Sequence, residues 1–358
     1  MDIEVFRSDL SRTRTVQLEQ PELSENDVRV RVDGFALTSN NISYAVFGDL
    51  LRYWNFFPAT DGWGRIPTWG VATVTESLHP DVSVGTRVFG YFPMSDTLTM
   101  TAGQVDGEGF SDLAPHRSEM ASAYNRYLDV ATDATFSPRY ERHHGILFPL
   151  FFTSWVVHDY LVDNDDFLAE QVVVSSASSK TALGLAHLAR QRGRRVVGLT
   201  SAANVAFTQS LDVYDQVTSY DRIGEELPVV PSVYVDISGS TPVLVDVHTT
   251  LDAAVVASLR VGGTHWDETA PATTPPPGPS PEFFFAPTQI AKRSKEWGRD
   301  ELFRRLGADW AGFVSWVDSW MTIEVKEGPA AVTQAYLDLL AGRIDPATGY
   351  HCILPGPA

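Results

Sequence analysis

Gln171-Val-Val-Val-Ser-Ser-Ala-Ser-Ser-Lys-Thr-Ala-Leu-Gly-Leu-Ala-His-Leu-Ala-Arg190 reads as a strand, a tight turn of small residues, and a helix. The valine run is apolar at every position, as a strand covered on both faces of a parallel sheet requires. Ala182, Leu185, Ala186, Leu188 and Ala189 then give one apolar face to a helix beginning near Thr181. A second β-rich run, Arg195-Val-Val-Gly-Leu-Thr200, follows Gly193. Strand, helix, strand in that order predicts an α/β domain with a doubly wound parallel sheet.

A dinucleotide-binding turn normally carries glycines, because side chains obstruct the turn, the approach of a pyrophosphate, and the packing of helix on strand. In the spacing G-x-x-G-x-x-G this chain has Ser176, Ser179 and Ala182. Each is a small substitute, and serine hydroxyls near a helix N-terminus favour an anion. Lys180 adds a positive charge. A plain βαβ turn with a serine cap would be written with the same letters, so the turn alone leaves both readings open. Serine nucleophile chemistry has no motif behind it: the residue three before Lys180 is Ala177, and no Gly-x-Ser-x-Gly elbow occurs.

The 358 residues, 44% hydrophobic, are enough for about two domains. A net charge of −18 opposes nucleic acid or anionic lipid as a partner, since both need a basic face. Cys352 is the single cysteine, which leaves no disulfide or thiolate zinc site and fits a cytoplasmic location. The most apolar stretch, Gly145 to Val157, is read as too short to span a bilayer. The N-terminus does not read as a signal peptide, so a soluble protein without a membrane partner is expected.

Working outward, Ile3–Phe6, Thr13–Leu18 and Val28–Val32 alternate as strands do, and Ile66–Glu76 and Val84–Tyr91 supply further strands with glycine-marked turns. Residues 94–145 show little periodicity and are expected to be an elaborated loop region, with His143 and His144 on the surface. Thr249–Arg260 reads as a helix. The proline-rich run Thr269–Pro281 is expected to be an exposed connection, and Glu282-Phe-Phe-Phe285 a buried strand leading to Lys292 and Arg293.

This order of pieces, with Thr38-Ser-Asn-Asn41, Trp69-Gly-Val-Ala-Thr-Val74 and Gly85-Thr-Arg-Val88, resembles the zinc-independent branch of the medium-chain dehydrogenase/reductase superfamily. That branch includes quinone oxidoreductases and enoyl reductases. The resemblance implies a GroES-like β-rich domain over residues 1–143 and 322–358, and a Rossmann domain over residues 144–321. It implies NADP(H) as cofactor, a small-molecule substrate and a homodimer. Ser176, Ser178, Ser179, Lys180 and Thr181 would form the cofactor turn. Thr153, from the Thr153-Ser154 pair, would enter the cofactor cleft, and Gly239 would lie beside the nicotinamide ribose.

No acid follows Leu199, where NAD-binding folds hold the ribose hydroxyls, so NADP is favoured. Ser201, Asn204 and Tyr220 are the expected neighbours of its extra phosphate, with Lys180 or Arg222 as the basic partner and Lys292 near another phosphate. The resemblance implies Tyr44 as proton donor, with Asn41 one helical turn earlier to orient the substrate or the phenol. The resemblance implies an NADPH-dependent, metal-independent reductase of an activated alkene (an enone or enoyl thioester) or a carbonyl. A non-redox lyase, or a binding protein that has lost cofactor chemistry, remains the alternative.

Overall fold

The structure is a computed structural model that describes residues 1–262 and 276–356. It divides into two compact units, one of residues 1–146 and 318–358, the other of residues 147–317.

In the first unit the chain forms β1 (Asp2–Phe6), β2 (Asp9–Val16), β3 (Asp27–Leu37), α1 (Ser39–Val46), β4 (Trp63–Gly64), β5 (Pro67–Ser77) and β6 (Arg87–Pro93). Then come β7 (Thr97–Asp106), β8 (Gly109–Asp112) and β9 (Arg126–Asp129). After helix α2 (Glu141–Asp163) the second unit holds β10 (Gln171–Val174), α3 (Lys180–Gln191), β11 (Arg195–Thr200), α4 (Val205–Ser210), β12 (Gln216–Ser219), α5 (Ile223–Glu226) and β13 (Ser232–Asp236). It continues with α6 (Thr241–Leu251), β14 (Val255–Arg260), β15 (Glu282–Phe283), α7 (Ala286–Trp297) and α8 (Arg299–Asp318). The chain returns to the first unit as β16 (Thr322–Glu327), α9 (Pro329–Leu340) and β17 (Thr348–Ile353).

The first unit holds a partly closed barrel. Its eight-stranded sheet runs β16-β17-β3-β5-β6-β9-β8-β7, antiparallel except for the β16–β17 pair, and β3 also pairs with β7, which closes the strands from β3 to β7 of that order into a ring. Closure consumes the edges that a flat sheet would expose. Alternation on β3 sends Val28, Val30 and Val32 into the core with Val74, Val88 and Met100.

Residues 94–145 therefore differ from the expected loop region, since they supply β7, β8 and β9 of the barrel. Their periodicity is hidden because β7 is polar at many positions, with only Met100 and Ala102 inward and fully covered. His143 and His144 are also corrected: both are buried, and His144 sits edge-on to Phe89 and Phe136. Burial among rings pushes His144 down to about 3, so it is neutral.

The second unit has strand order β12-β11-β10-β13-β14-β15, all parallel, with Gln171 opposite both Arg195 and Ser232. This is the doubly wound order 3-2-1-4-5-6, whose switch point lies between β10 and β13. Val172, Val173 and Val174 are fully buried, as the unbroken run predicts. Gly184 lets α3 approach α2, because a Cβ there would lie 2.7 Å from Ser154 Oγ.

Three readings in this unit are corrected. Thr249–Arg260 is the last turn of α6 followed by β14, since Val255 to Leu259 fills the next buried strand. β15 is short and lies at the sheet edge, which leaves Phe283 72% exposed and Phe285 59% exposed. α2 runs for 23 residues, longer than the apolar core of its sequence suggested. With its leading turn it is, among the described residues, the one helix long and apolar enough to cross a membrane, but most of its apolar stretch is buried inside the protein. Of the proline-rich run, residues 269–275 lie outside the described residues, and 276–281 are neither helix nor strand.

Candidate functional site

The carboxyl ends of β10, β11, β12 and β13 carry a connected set of polar groups. Ser176 follows β10 with φ of +54°, the left-handed region that glycine enters freely and serine seldom does. Its backbone N–H donates to the Tyr220 hydroxyl at 3.0 Å. The Ser179 hydroxyl caps α3 by accepting from Ala182 N at 3.2 Å, which places Lys180 and Thr181 at the first positions of the helix. Ser178 Oγ is met from β11's end by Thr200 Oγ1 at 3.3 Å and by Asn204 Nδ2 at 3.1 Å.

A second set of bonds joins β10 to β13. The Ser175 hydroxyl donates to Asp236 Oδ1 at 2.9 Å and accepts from Ile237 N and Ser238 N at 2.9 and 3.0 Å. Ser238 Oγ and Gly239 N donate to the same carboxylate oxygen at 2.8 and 3.0 Å. Asp236 is wholly buried, and Arg260 Nε stands 3.7 Å from its other oxygen. This network stiffens the strand ends that bear Ser176 and Gly239.

Most of the expected cofactor residues come together here. Ser176, Ser178, Ser179, Lys180, Thr181, Asn204 and Tyr220 share one patch, and Ser201 begins the turn after β11. Gly239 lies on the neighbouring strand end. Thr153 bonds back to Pro149 O at 3.2 Å within α2, while its neighbour Ser154 donates to Thr181 O at 2.7 Å. Lys292 is elsewhere: it pairs with Asp163 at the end of α2 and with Glu296 at 3.6 Å. Asp163 precedes the start of β10, whereas the turn follows the end of that strand. Arg293, joined to Asp159 at 2.7 Å, belongs to the same ion-pair cluster. Arg222 pairs with Glu225 and Glu226.

Sequence reasoning missed Ser175, Tyr214 and Asp236. The signal for Asp236 was the polar end of an otherwise apolar strand, Val-Tyr-Val-Asp.

In the first unit Tyr44 lies in a cluster of rings, with centroids 4.7 Å from Tyr53, 5.5 Å from Tyr91 and 6.4 Å from Tyr124. Trp69 Nε1 donates to the Tyr44 hydroxyl at 3.2 Å. Tyr53, Trp69 and Tyr124 are half-buried, and Tyr44 and Tyr91 are buried. Burial pushes the Tyr44 phenol up, so it stays protonated and remains a donor at neutral pH.

Asn41 has a structural task. Its Oδ1 accepts from Thr38 N at 2.6 Å in a capping box, and its Nδ2 donates to Pro67 O at 2.8 Å. Asn40, half-buried, stands four residues before Tyr44 on the same helix, the i,i+4 spacing at which side chains meet.

Arg117 buttresses this cluster from within the unit. It is 1% exposed, forms an ion pair with Asp112 at 3.1 Å, and bonds Phe56 O and Tyr127 OH at 3.3 and 3.1 Å.

Among the described residues no three His, Cys, Asp or Glu side chains are grouped so as to hold a metal ion. Cys352 is buried, and burial pushes its thiol up.

Solved structures share this architecture along almost the whole chain. CurA from Vibrio vulnificus in complex with NADPH is similar at a TM-score of 0.61 and 15% identity, covering 99% of each chain. The yhdH oxidoreductase from Salmonella enterica in complex with NADP is similar at a TM-score of 0.57 and 15% identity, over 96% of each chain. The complex of Etr1p with NADP and crotonyl-CoA is similar at a TM-score of 0.57 and 9% identity, over 98% of this chain and 100% of that one. The fold is thus a GroES-like unit and a Rossmann unit. No curated protein matches by sequence. The model of a protein family of unknown function, DUF2855, matches residues 35–345, and the chain belongs to that family.

Proposed function

We propose that the protein is an NADPH-dependent reductase of an activated alkene, an enone or enoyl thioester, or of a carbonyl, and that it works without a metal. The observation that carries this reading is the backbone at Ser176. It takes a left-handed conformation between a buried parallel strand and a capped helix, at the carboxyl end of an interior strand of a 3-2-1-4-5-6 sheet. A glycine-poor turn with that shape fits a dinucleotide: a helix N-terminus, small side chains and the Lys180 cation meet where a pyrophosphate is received. NADPH or NADP in the similar structures supports the same choice.

In this reading Ser176, Ser178, Ser179, Lys180 and Thr181 hold the pyrophosphate, and Ser201, Asn204 and Tyr220 attend the 2′-phosphate. Thr153 and Gly239 contact the nicotinamide half. When bound, the cofactor supplies a hydride. Charge then develops on the substrate carbonyl oxygen, and a proton must reach the α-carbon. Tyr44, kept protonated by burial, holds that proton, and Trp69 fixes the orientation of its phenol. Asn41 acts on Tyr44 only through the helix it caps.

The single buried cysteine supports metal independence, and the acidic charge supports a small-molecule substrate with no nucleic acid or membrane partner. A cytoplasmic homodimer completes the proposal. Titration with NADPH, read by nicotinamide fluorescence and by thermal stability, tests it. A ligand that binds only the folded state raises the melting temperature with concentration. No shift at millimolar NADPH would refute the cofactor reading, and loss of turnover in EDTA restored by zinc would refute the metal-free one.

A further inference from the structure

Ser176 sits where a side chain is a burden, yet the turn keeps its shape. For an L-residue the left-handed region brings Cβ against the following carbonyl, a penalty glycine does not carry. Something outside the residue must hold it there. Its backbone N–H is bonded to the hydroxyl of Tyr220, which begins the turn after β12, two strands away from β10.

The next residue is held too. Tyr214 OH donates to Ala177 O at 2.8 Å, and Ala177 N donates to Leu199 O at 2.9 Å. Between them the middle strand carries Gly198, where an added Cβ would stand 2.8 Å from Ala177 Cβ and 2.9 Å from the Tyr214 ring. The missing side chain on β11 is what allows Tyr214 to reach the turn. Burial keeps the Tyr214 phenol protonated, so it stays a donor at neutral pH.

We infer that Tyr214 and Tyr220 form a clasp that holds a glycine-free nucleotide turn in its receiving conformation. Tyr220 is then a positioning residue that acts through the Ser176 peptide, in addition to any contact with the 2′-phosphate. The clasp rests on the reading of this turn as the pyrophosphate site. It also accounts for a turn that lacks all three glycines and still follows the path they permit. Glycine achieves that path by its own freedom, and here two phenols on neighbouring chain segments impose it.

The test is a double-mutant cycle of Tyr220→Phe and Ser176→Gly in the full chain, with NADPH as titrant. Tyr220→Phe should weaken NADPH binding about 10-fold beside Ser176, the size of one lost hydrogen bond, and about 2-fold or less beside Gly at 176. The melting temperature without any ligand should fall by about 2 °C or more in Tyr220→Phe and recover in the double variant. Coupling in both readouts supports the clasp. Equal losses of affinity and of melting temperature in the two backgrounds overturn it, because a phenol acting on the phosphate alone has no reason to depend on residue 176. The melting cycle needs no cofactor. If NADPH fails to bind the unmodified protein, the cofactor reading falls while the melting cycle still decides whether the phenol holds the turn.

Discussion

The nucleotide turn and the Tyr44 ring cluster are both polar groups set in apolar units, and they are held in opposite ways. At the turn four groups have named partners: Ser176 N with Tyr220, Ala177 O with Tyr214, Ser178 Oγ with Thr200 and Asn204, Ser175 with Asp236. Its shape is a matter of hydrogen-bond geometry, so single atoms should matter there. Around Tyr44 the rings of Tyr53, Tyr91, Tyr124 and Trp69 fill space against one another, and one buried ion pair, Asp112 with Arg117, supports the segment that carries Phe56. Its shape is a matter of buried area and one charge pair. The turn should therefore respond to small substitutions in binding, and the ring cluster in stability and turnover.

The largest expected effect falls on the ring cluster. Arg117→Met should destabilise the first unit by roughly 3–5 kcal/mol, since it leaves the Asp112 carboxylate buried without its partner. Denaturant titration checks this, and a loss below about 1 kcal/mol would mean that the rings hold themselves. Next, Tyr44→Phe should lower turnover by about 10²-fold while leaving NADPH affinity intact, the size of losing one acid donor. Unchanged turnover removes Tyr44 from the mechanism and leaves the cluster as packing alone.

Acid sharpens the comparison between the units. Burial pushes His144 down to about 3, and His351 and His158 down to about 4. These groups are neutral when folded, whereas the unfolded chain protonates them below about 6.5. Their stabilising contribution is therefore full above that value and is lost as pH falls toward the folded values. At pH 5 each should cost about 2 kcal/mol. His144 and His351 lie in the first unit and His158 in the second, so the first should soften earlier. Denaturant midpoints at pH 7 and pH 5, read unit by unit, check this, and equal midpoints at the two values would contradict it.

The doubly wound sheet was legible because Val172–Val174 is an unbroken apolar run and α3 has one apolar face at helical spacing. So was the patch at the turn, because small residues between a strand and a helix have few other uses. What escaped had physical reasons. β7 shows weak alternation because its partners cover few of its side chains, and β14 looked helical because Val255 to Leu259 follows a helix without a glycine or proline break. Lys292 misled because charge near a strand end does not say which end, and its partner Asp163 is far away in sequence. Asn41 and Asn40 are adjacent in the chain, and only the helix geometry assigns the cap to Asn41.

The central claim is a cofactor site that prefers NADPH, and paired titrations of NADPH and NADH on the unmodified protein and on Ser201→Asp test it most directly. The unmodified protein should bind NADPH more tightly than NADH, because no acid follows Leu199 to engage the ribose hydroxyls or repel the extra phosphate. Ser201→Asp, which sets a carboxylate at that place, should reverse the preference. Equal affinity for the two cofactors in the unmodified protein, or a preference that Ser201→Asp leaves unmoved, would contradict it.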